Sequence, residues 1–222
     1  MDNTIKIDKK SSNVQLVFLG FVSFLIGIIC MFSTVFIYGF GPLTSISESA
    51  TTGNATGMIL PFALGCMFTY TVAYVGYCRS ERIITRIMGV CFLIVAMQIC
   101  NSIYVTERRV GLLGLPPNVS NIIHLCAAAV GFSLMTVWIL FYFTRSDKEK
   151  TNRTKEKIIR DYVYIACGAA MICGLIMLII GFFVPMGHYV VFIGEQFILI
   201  PAGLAIVVKG GLFLKDKEGG AK

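Results

Sequence analysis

Val14–Tyr38 reads VQLVFLGFVSFLIGIICMFSTVFIY, 25 residues without one charged side chain. As an α-helix, about 20 such residues at ~1.5 Å each cover the ~30 Å hydrocarbon of a bilayer. The run is longer than the apolar core of a cleavable signal peptide, so it is expected to stay in place as a spanning helix. Five more runs repeat the pattern at about Met58–Tyr77, Ile84–Val105, Ile122–Phe143, Tyr162–Phe183 and Val190–Leu214. Strands do not fit, because the runs lack the alternation of a barrel strand and lipid-exposed backbone must satisfy its own hydrogen bonds. The expected fold is all-α: a polytopic membrane protein with a bundle of six transmembrane helices, one domain over residues 1–222.

Composition supports that class. The chain is 56% hydrophobic and 14% charged, far from the mixture of a water-soluble domain. Its net charge of +7 lies in short segments between apolar runs, which excludes a nucleic-acid surface and makes anionic lipid headgroups at the cytoplasmic face the expected counter-charge. Basic residues cluster at Lys6, Lys9 and Lys10, at Arg79, Arg82 and Arg86, across Arg145–Arg160, and at Lys215, Lys217 and Lys222, with Arg108 and Arg109 alone on the other side. The positive-inside rule then puts both termini in the cytoplasm and the loops around 41–57, 106–120 and 185–189 outside. Residence in a plasma membrane or endomembrane follows, or in the cytoplasmic membrane if the source is bacterial.

Several features carry bland readings. The eight cysteines lie in or at the ends of apolar runs, with no C-x-x-C pair and no cysteine–histidine cluster, so they read as packing residues. No metal and no cofactor are expected. Asp147–Lys157 alternates charge sign like a solvated hinge, and Lys209 has the reach to snorkel to the cytoplasmic interface. Tyr70, Tyr74 and Tyr77 recur at helical spacing, Pro201 is expected to bend the sixth run, and sequons stand at Asn54, Asn118 and Asn152. Small residues at Ala127–Ala129 with Gly131, at Gly168–Ala170 with Gly174, and at Gly210–Gly211 mark close helix contacts; a homo-oligomer or a membrane partner is left open.

The polar interruptions are more informative. Under the expected topology His124 lies near the outer end of the fourth span, and Glu195 with Gln196 lies in the outer half of the sixth. Gln98 and Asn101, three residues apart, share a face near the outer end of the third span, and Ser45, Ser47 and Glu48 follow the first. Acid, imidazole, amide and hydroxyl groups are thus delivered to one leaflet, at the depth of lipid headgroups. An ionisable group inside a span is costly and normally faces protein or water, which singles out Glu195. The group suits binding or organising a membrane lipid. A second chemistry is lipid ester hydrolysis or acyl transfer, with Ser45 or Ser47 attacking, His124 as base and Glu48 or Glu195 assisting, although no nucleophile signature such as G-x-S-x-G is present. A third is a channel or transporter subunit with Glu195 as coupling site, which lacks a second mid-membrane charge and an inverted repeat. No residue is assigned a catalytic role from sequence alone.

Ile46-Ser47-Glu48 after the first span, His124 opening a span that continues Ala128, Phe132 and Trp138, and Glu195 near the start of the last span are similar to the pattern of the Frag/DRAM/Sfk family of six-span membrane proteins, or of its bacterial relative. The resemblance covers nearly the whole chain. It implies a six-helix fold and a role in lipid remodelling, lipid asymmetry or membrane trafficking, and it carries over to Ser47, Glu48, His124 and Glu195. The chain departs from the pattern after Glu48, where the family places glycine and proline and this sequence has Ser49, Ala50, Thr51 and Thr52.

Overall fold

The computed structural model describes residues 9–37, 39, 43–52, 55–145, 154–184 and 189–214. Among them the chain is all-helical, with one isolated two-residue bridge, Val110 to Leu115. Six α-helices follow in order: α1 (Lys9–Phe32), α2 (Ile59–Ala73), α3 (Arg79–Met97), α4 (Pro117–Val137), α5 (Lys155–Phe183) and α6 (Val190–Lys209). A π-helical turn extends α1 over Ser33–Ile37 and another extends α4 over Trp138–Phe143. Two 3-10 turns, Ser47–Thr51 and Ala55–Met58, precede α2. Four helical stretches, Asn13–Ile37, Pro117–Phe143, Lys155–Phe183 and Val190–Lys209, are long and apolar enough to cross a membrane; α2, with 15 residues, is shorter.

Several boundaries differ from the apolar runs for local reasons. Helix α3 begins five residues before Ile84, at Arg79, and ends at Met97, because Gln98 is extended (φ −107°, ψ 130°) and its polar neighbours leave the helix. Gln98 and Asn101 therefore do not share a helical face. Helix α2 ends at Ala73 and Tyr74 is extended, so Tyr70, Tyr74 and Tyr77 are not on one helical stripe, although the Tyr70 and Tyr74 rings remain 5.8 Å apart. Helix α4 starts at Pro117, whose missing N–H costs nothing in a first turn, and His124 sits two turns inside it. Thr154 caps α5 by accepting from the Lys157 N–H at 3.2 Å, adding two turns before Tyr162. Helix α6 runs unbroken through Pro201 and stops at Lys209. Lys6, Asn54, Asn152, His188, Lys215, Lys217, Lys222 and most of Asp147–Lys157 lie outside the described residues.

Helices pack in chain order, and α6 returns to lie against α1. The α1–α6 seam is built on small residues at a constant antiparallel register. A Cβ on Gly203 would lie 2.5 Å from the Gly20 carbonyl oxygen, one on Gly27 would run into the Gln196 amide, and one on Gly210 would meet the Asn13 carbonyl at 3.0 Å. A seven-residue step on each helix keeps the same stripes in apposition, so the backbones touch along the interface. Buried Trp138, Phe92, Met88, Met135, Ile139, Tyr164 and Met171 fill the centre. Large apolar side chains cover the outside as well: Phe18, Phe62, Ile122, Phe141, Ile165, Ile179 and Phe182 are all more than half exposed. A surface of that kind suits lipid tails better than water.

Candidate functional site

Three consecutive residues of the segment between α1 and α2 each bond to a different part of the chain. The Ile46 N–H donates to the Glu195 carboxylate on α6. Ser47 meets His124 on α4, with Oγ 3.0 Å from Nε2. Glu48 accepts from Ser102, beyond α3, at 3.0 Å on Oε1, and from the Thr44 N–H and hydroxyl at 2.6 and 2.9 Å on Oε2. The Phe192 N–H of α6 also donates to the Thr44 carbonyl at 3.1 Å. One short segment thus ties together the ends of α3, α4 and α6.

Its own conformation is fixed by hydroxyls. Ser49, Thr51 and Thr52 each donate to the carbonyl three residues back, at 2.7, 2.7 and 2.9 Å, and the Ser45 hydroxyl receives the Glu48 N–H at 3.1 Å. Such local side-chain bonds stabilise a tight 3-10 turn that glycine and proline would hold by backbone preference alone. The hydroxyls of Ser49, Thr51 and Thr52 after Glu48 thus shape this turn.

His124 is buried and its ring is oriented from both sides. Nδ1 lies 2.7 Å from the Gln98 carbonyl oxygen, which only accepts, so Nδ1 carries a proton. In the neutral ring Nε2 is then an acceptor, and the Ser47 hydroxyl donates to it. Gln98 owes its position to leaving the helix: an extended residue there aims its carbonyl at α4, while its side-chain oxygen receives the Ser120 hydroxyl at 3.3 Å. Glu48 and Glu195 are both buried, and among the described residues neither is paired with a lysine or arginine. Ser47, Glu195 and Ser23 line a cavity of about 20 Å³, otherwise walled by Leu60, Met67 and Phe132.

Of the residues singled out by sequence, Ser45, Ser47, Glu48, Gln98, His124 and Glu195 join this network. Two do not. Asn101 is exposed, and only its N–H takes part, donating to the Asn121 side chain at 2.8 Å. Gln196 turns away from Glu195 and packs on Gly27, where its buried Oε1 finds no hydrogen-bond donor. Ser102 and Ser120 join the network without having stood out in the sequence; Ser120, fully buried, also donates to the Ile99 carbonyl at 2.9 Å. Their only sequence signal is proximity to Gln98 and Asn121.

A second polar cluster lies at the opposite end. Glu81, fully buried in the first turn of α3, accepts from Trp138 Nε1 at 3.0 Å, from the Tyr74 hydroxyl at 3.2 Å and from the Tyr77 N–H at 2.6 Å. Gly76 (φ +65°) lets the chain turn there, and a Cβ on it would press within 2.9 Å of the Glu81 carboxylate. Lys209 does not extend into solvent; it is half-buried, with Nζ 4.9 Å from the Tyr77 ring centre and 5.1 Å from that of Phe143. Beside them the Cys78 thiol is held below its ordinary range by hydrogen bonds from Ser80, from the Glu81 N–H and from the Arg145 guanidinium, whose Nη1 is 3.0 Å from Sγ. Comparison of the chain with protein-family models, curated proteins and solved structures finds no match.

Proposed function

We propose that this is an integral membrane protein that crosses the bilayer six times, with both termini cytoplasmic, and that it binds or organises a lipid through the polar site in the non-cytoplasmic leaflet. Helix lengths support six crossings. Helix α2 with the preceding turn of Ala55–Met58 supplies about 30 Å, and the 15 residues of α3 from Ile83 to Met97 about 22 Å, with the charged first turn of α3 reaching the interface. Charge supports the orientation: Arg79, Arg82, Arg86, Arg145, Lys155, Lys157 and Arg160 lie at the Glu81 end, against Arg108 and Arg109 at the Ser47 end.

The observation that carries the lipid reading is the convergence on Ile46-Ser47-Glu48 of groups from three helix ends, including two carboxylates without a cationic partner among the described residues. Two buried carboxylates with no cation beside them among the described residues favour a headgroup carrying an ammonium or neutral sugar-type hydroxyls over a bare phosphate, which their charge would repel. Thr44 is exposed and Ser45 and Ser47 half-buried, so the turn is open to a headgroup from one side. The cavity beneath has room for about one water molecule, so the acyl chains lie outside it. The resemblance to the Frag/DRAM/Sfk family belongs to the same proposal, with lipid remodelling, asymmetry or trafficking as its setting.

Native mass spectrometry tests this reading. Wild-type protein is expected to retain lipid, and His124→Ala and Glu195→Gln to lose it while eluting as folded protein. Unchanged lipid occupancy in both variants removes the proposal.

A further inference from the structure

We infer that Ser47 is a nucleophile and His124 its general base, so that the lipid site carries out acyl transfer from a lipid ester. This rests on the reading that the site takes lipid, and adds a reaction to it. The geometry has the parts that serine activation needs. Nucleophile and base are in hydrogen-bond reach at 3.0 Å, and the base is oriented from its far side by the Gln98 carbonyl at 2.7 Å. That carbonyl fixes the tautomer that leaves Nε2 free to take the serine proton, the task a buried carboxylate performs in other serine–histidine pairs. Here the two carboxylates are committed elsewhere: Glu48 is occupied by Thr44 and Ser102, and Glu195 by the Ile46 N–H, so both hold the turn that presents Ser47. Ser47 itself is half-buried and borders the cavity, while His124 behind it is closed to solvent.

The step balances as follows. The Ser47 Oγ attacks the ester carbonyl carbon as His124 Nε2 takes the hydroxyl proton. The tetrahedral adduct collapses, the C–O bond to the leaving alcohol breaks, and that oxygen receives the proton from Nε2, leaving Ser47 acylated. A second alcohol, or water, then gives its proton to Nε2 and attacks the acyl carbon; the second adduct collapses with cleavage of the C–Oγ bond, and Nε2 returns the proton to Oγ, which restores the Ser47 hydroxyl and releases the new ester or acid.

A fluorophosphonate probe on the purified full-length protein reads the nucleophile without knowledge of the substrate. The expected result is one phosphonyl adduct, mapped to Ser47 by peptide sequencing, absent from Ser47→Ala and slowed by about a hundredfold in His124→Gln. Ser80→Ala, at the far end, retains full labelling. If His124→Gln does not fold, Ser47→Cys with His124 intact replaces it: the imidazole should make the introduced thiol react with iodoacetamide faster than the one introduced by Ala50→Cys on the same turn, each read from its own peptide. Wild-type protein with no Ser47 adduct, labelling undiminished in folded His124→Gln, or a Ser47→Cys thiol no faster than the Ala50→Cys thiol overturns the assignment. Lipid retained in the native spectrum together with a missing adduct sinks the catalysis and leaves the lipid-binding reading standing; loss of both removes both.

Discussion

Glu195 stands out because a carboxylate inside an apolar run has no cheap explanation, and His124 for a similar reason. Glu81 has no such contrast: in the basic patch around Arg79 and Arg82 it resembles one more solvated charge, yet it is fully buried. What makes it interior is Trp138, 57 residues away, whose indole N–H needs a partner once buried. Glu81→Gln keeps the volume but offers one acceptor atom where three donors converge, and should destabilise the protein by about 1.5–3 kcal/mol in detergent thermal unfolding. Trp138→Phe removes one of the three donors and also leaves a cavity where the fully buried indole stood, so it should cost at least as much; no loss in either variant would show that the cluster contributes nothing. Cys78 offers a pH test in the same place. Its bonds to Ser80, the Glu81 N–H and Arg145 favour the thiolate, so alkylation should reach half its maximal rate at a lower pH than for an ordinary cysteine. Arg145→Ala should move that midpoint upward, and an unmoved midpoint would remove Arg145 from the account.

At the scale of elements, hydropathy locates every helix but misjudges its ends, because a run of apolar residues is blind to φ and ψ. Gln98-Ile99-Cys100-Asn101-Ser102 is apolar enough to extend the third run, yet its amides and hydroxyls find better partners off the helix, and His124 gains its orienting carbonyl as a result. The converse holds for Lys155–Asp161, too charged for an apolar window but helical under the Thr154 cap and the Lys157–Asp161 pair at 2.5 Å. The seam of α1 and α6 is half legible in the sequence: the Gly210–Gly211 pair marks one end of it, whereas Gly20 and Gly203 are single glycines in apolar runs and carry no such mark. Gly203→Ala places a methyl 2.5 Å from the Gly20 carbonyl, where neither backbone has slack. A loss of about 1–3 kcal/mol in thermal unfolding is expected. Gly65→Ala, with nothing within 4 Å of the new Cβ, should be neutral or stabilising by up to about 1 kcal/mol through helix propensity. Equal effects at the two glycines would mean that α1 and α6 are free to separate.

For the whole molecule, the two polar clusters sit at opposite ends, and the proposed topology gives them opposite solvents. Near the Ser47 end the chain from Val110 to Leu115 folds into a closed turn, with reciprocal N–H to carbonyl bonds of 2.8 and 3.0 Å, and presents Leu112 and Leu113 at 69% and 65% exposure. Near the other end Cys78 lies beside Arg79, Arg82 and Arg145. An impermeant maleimide added to intact cells should therefore modify Leu113→Cys and spare Cys78, and opening the membrane should expose Cys78, with each site read from its own peptide. The order matters because it separates two physical claims. Labelling of Cys78 alone from outside would keep the six crossings but invert them, so that the positive charges no longer set the orientation. Labelling of both positions from outside would mean that α3 does not cross, since Cys78 precedes α3 by one residue and Leu113 lies between α3 and α4. Only the first pattern leaves the Ser47 and His124 pair facing the leaflet in which the proposed lipid resides.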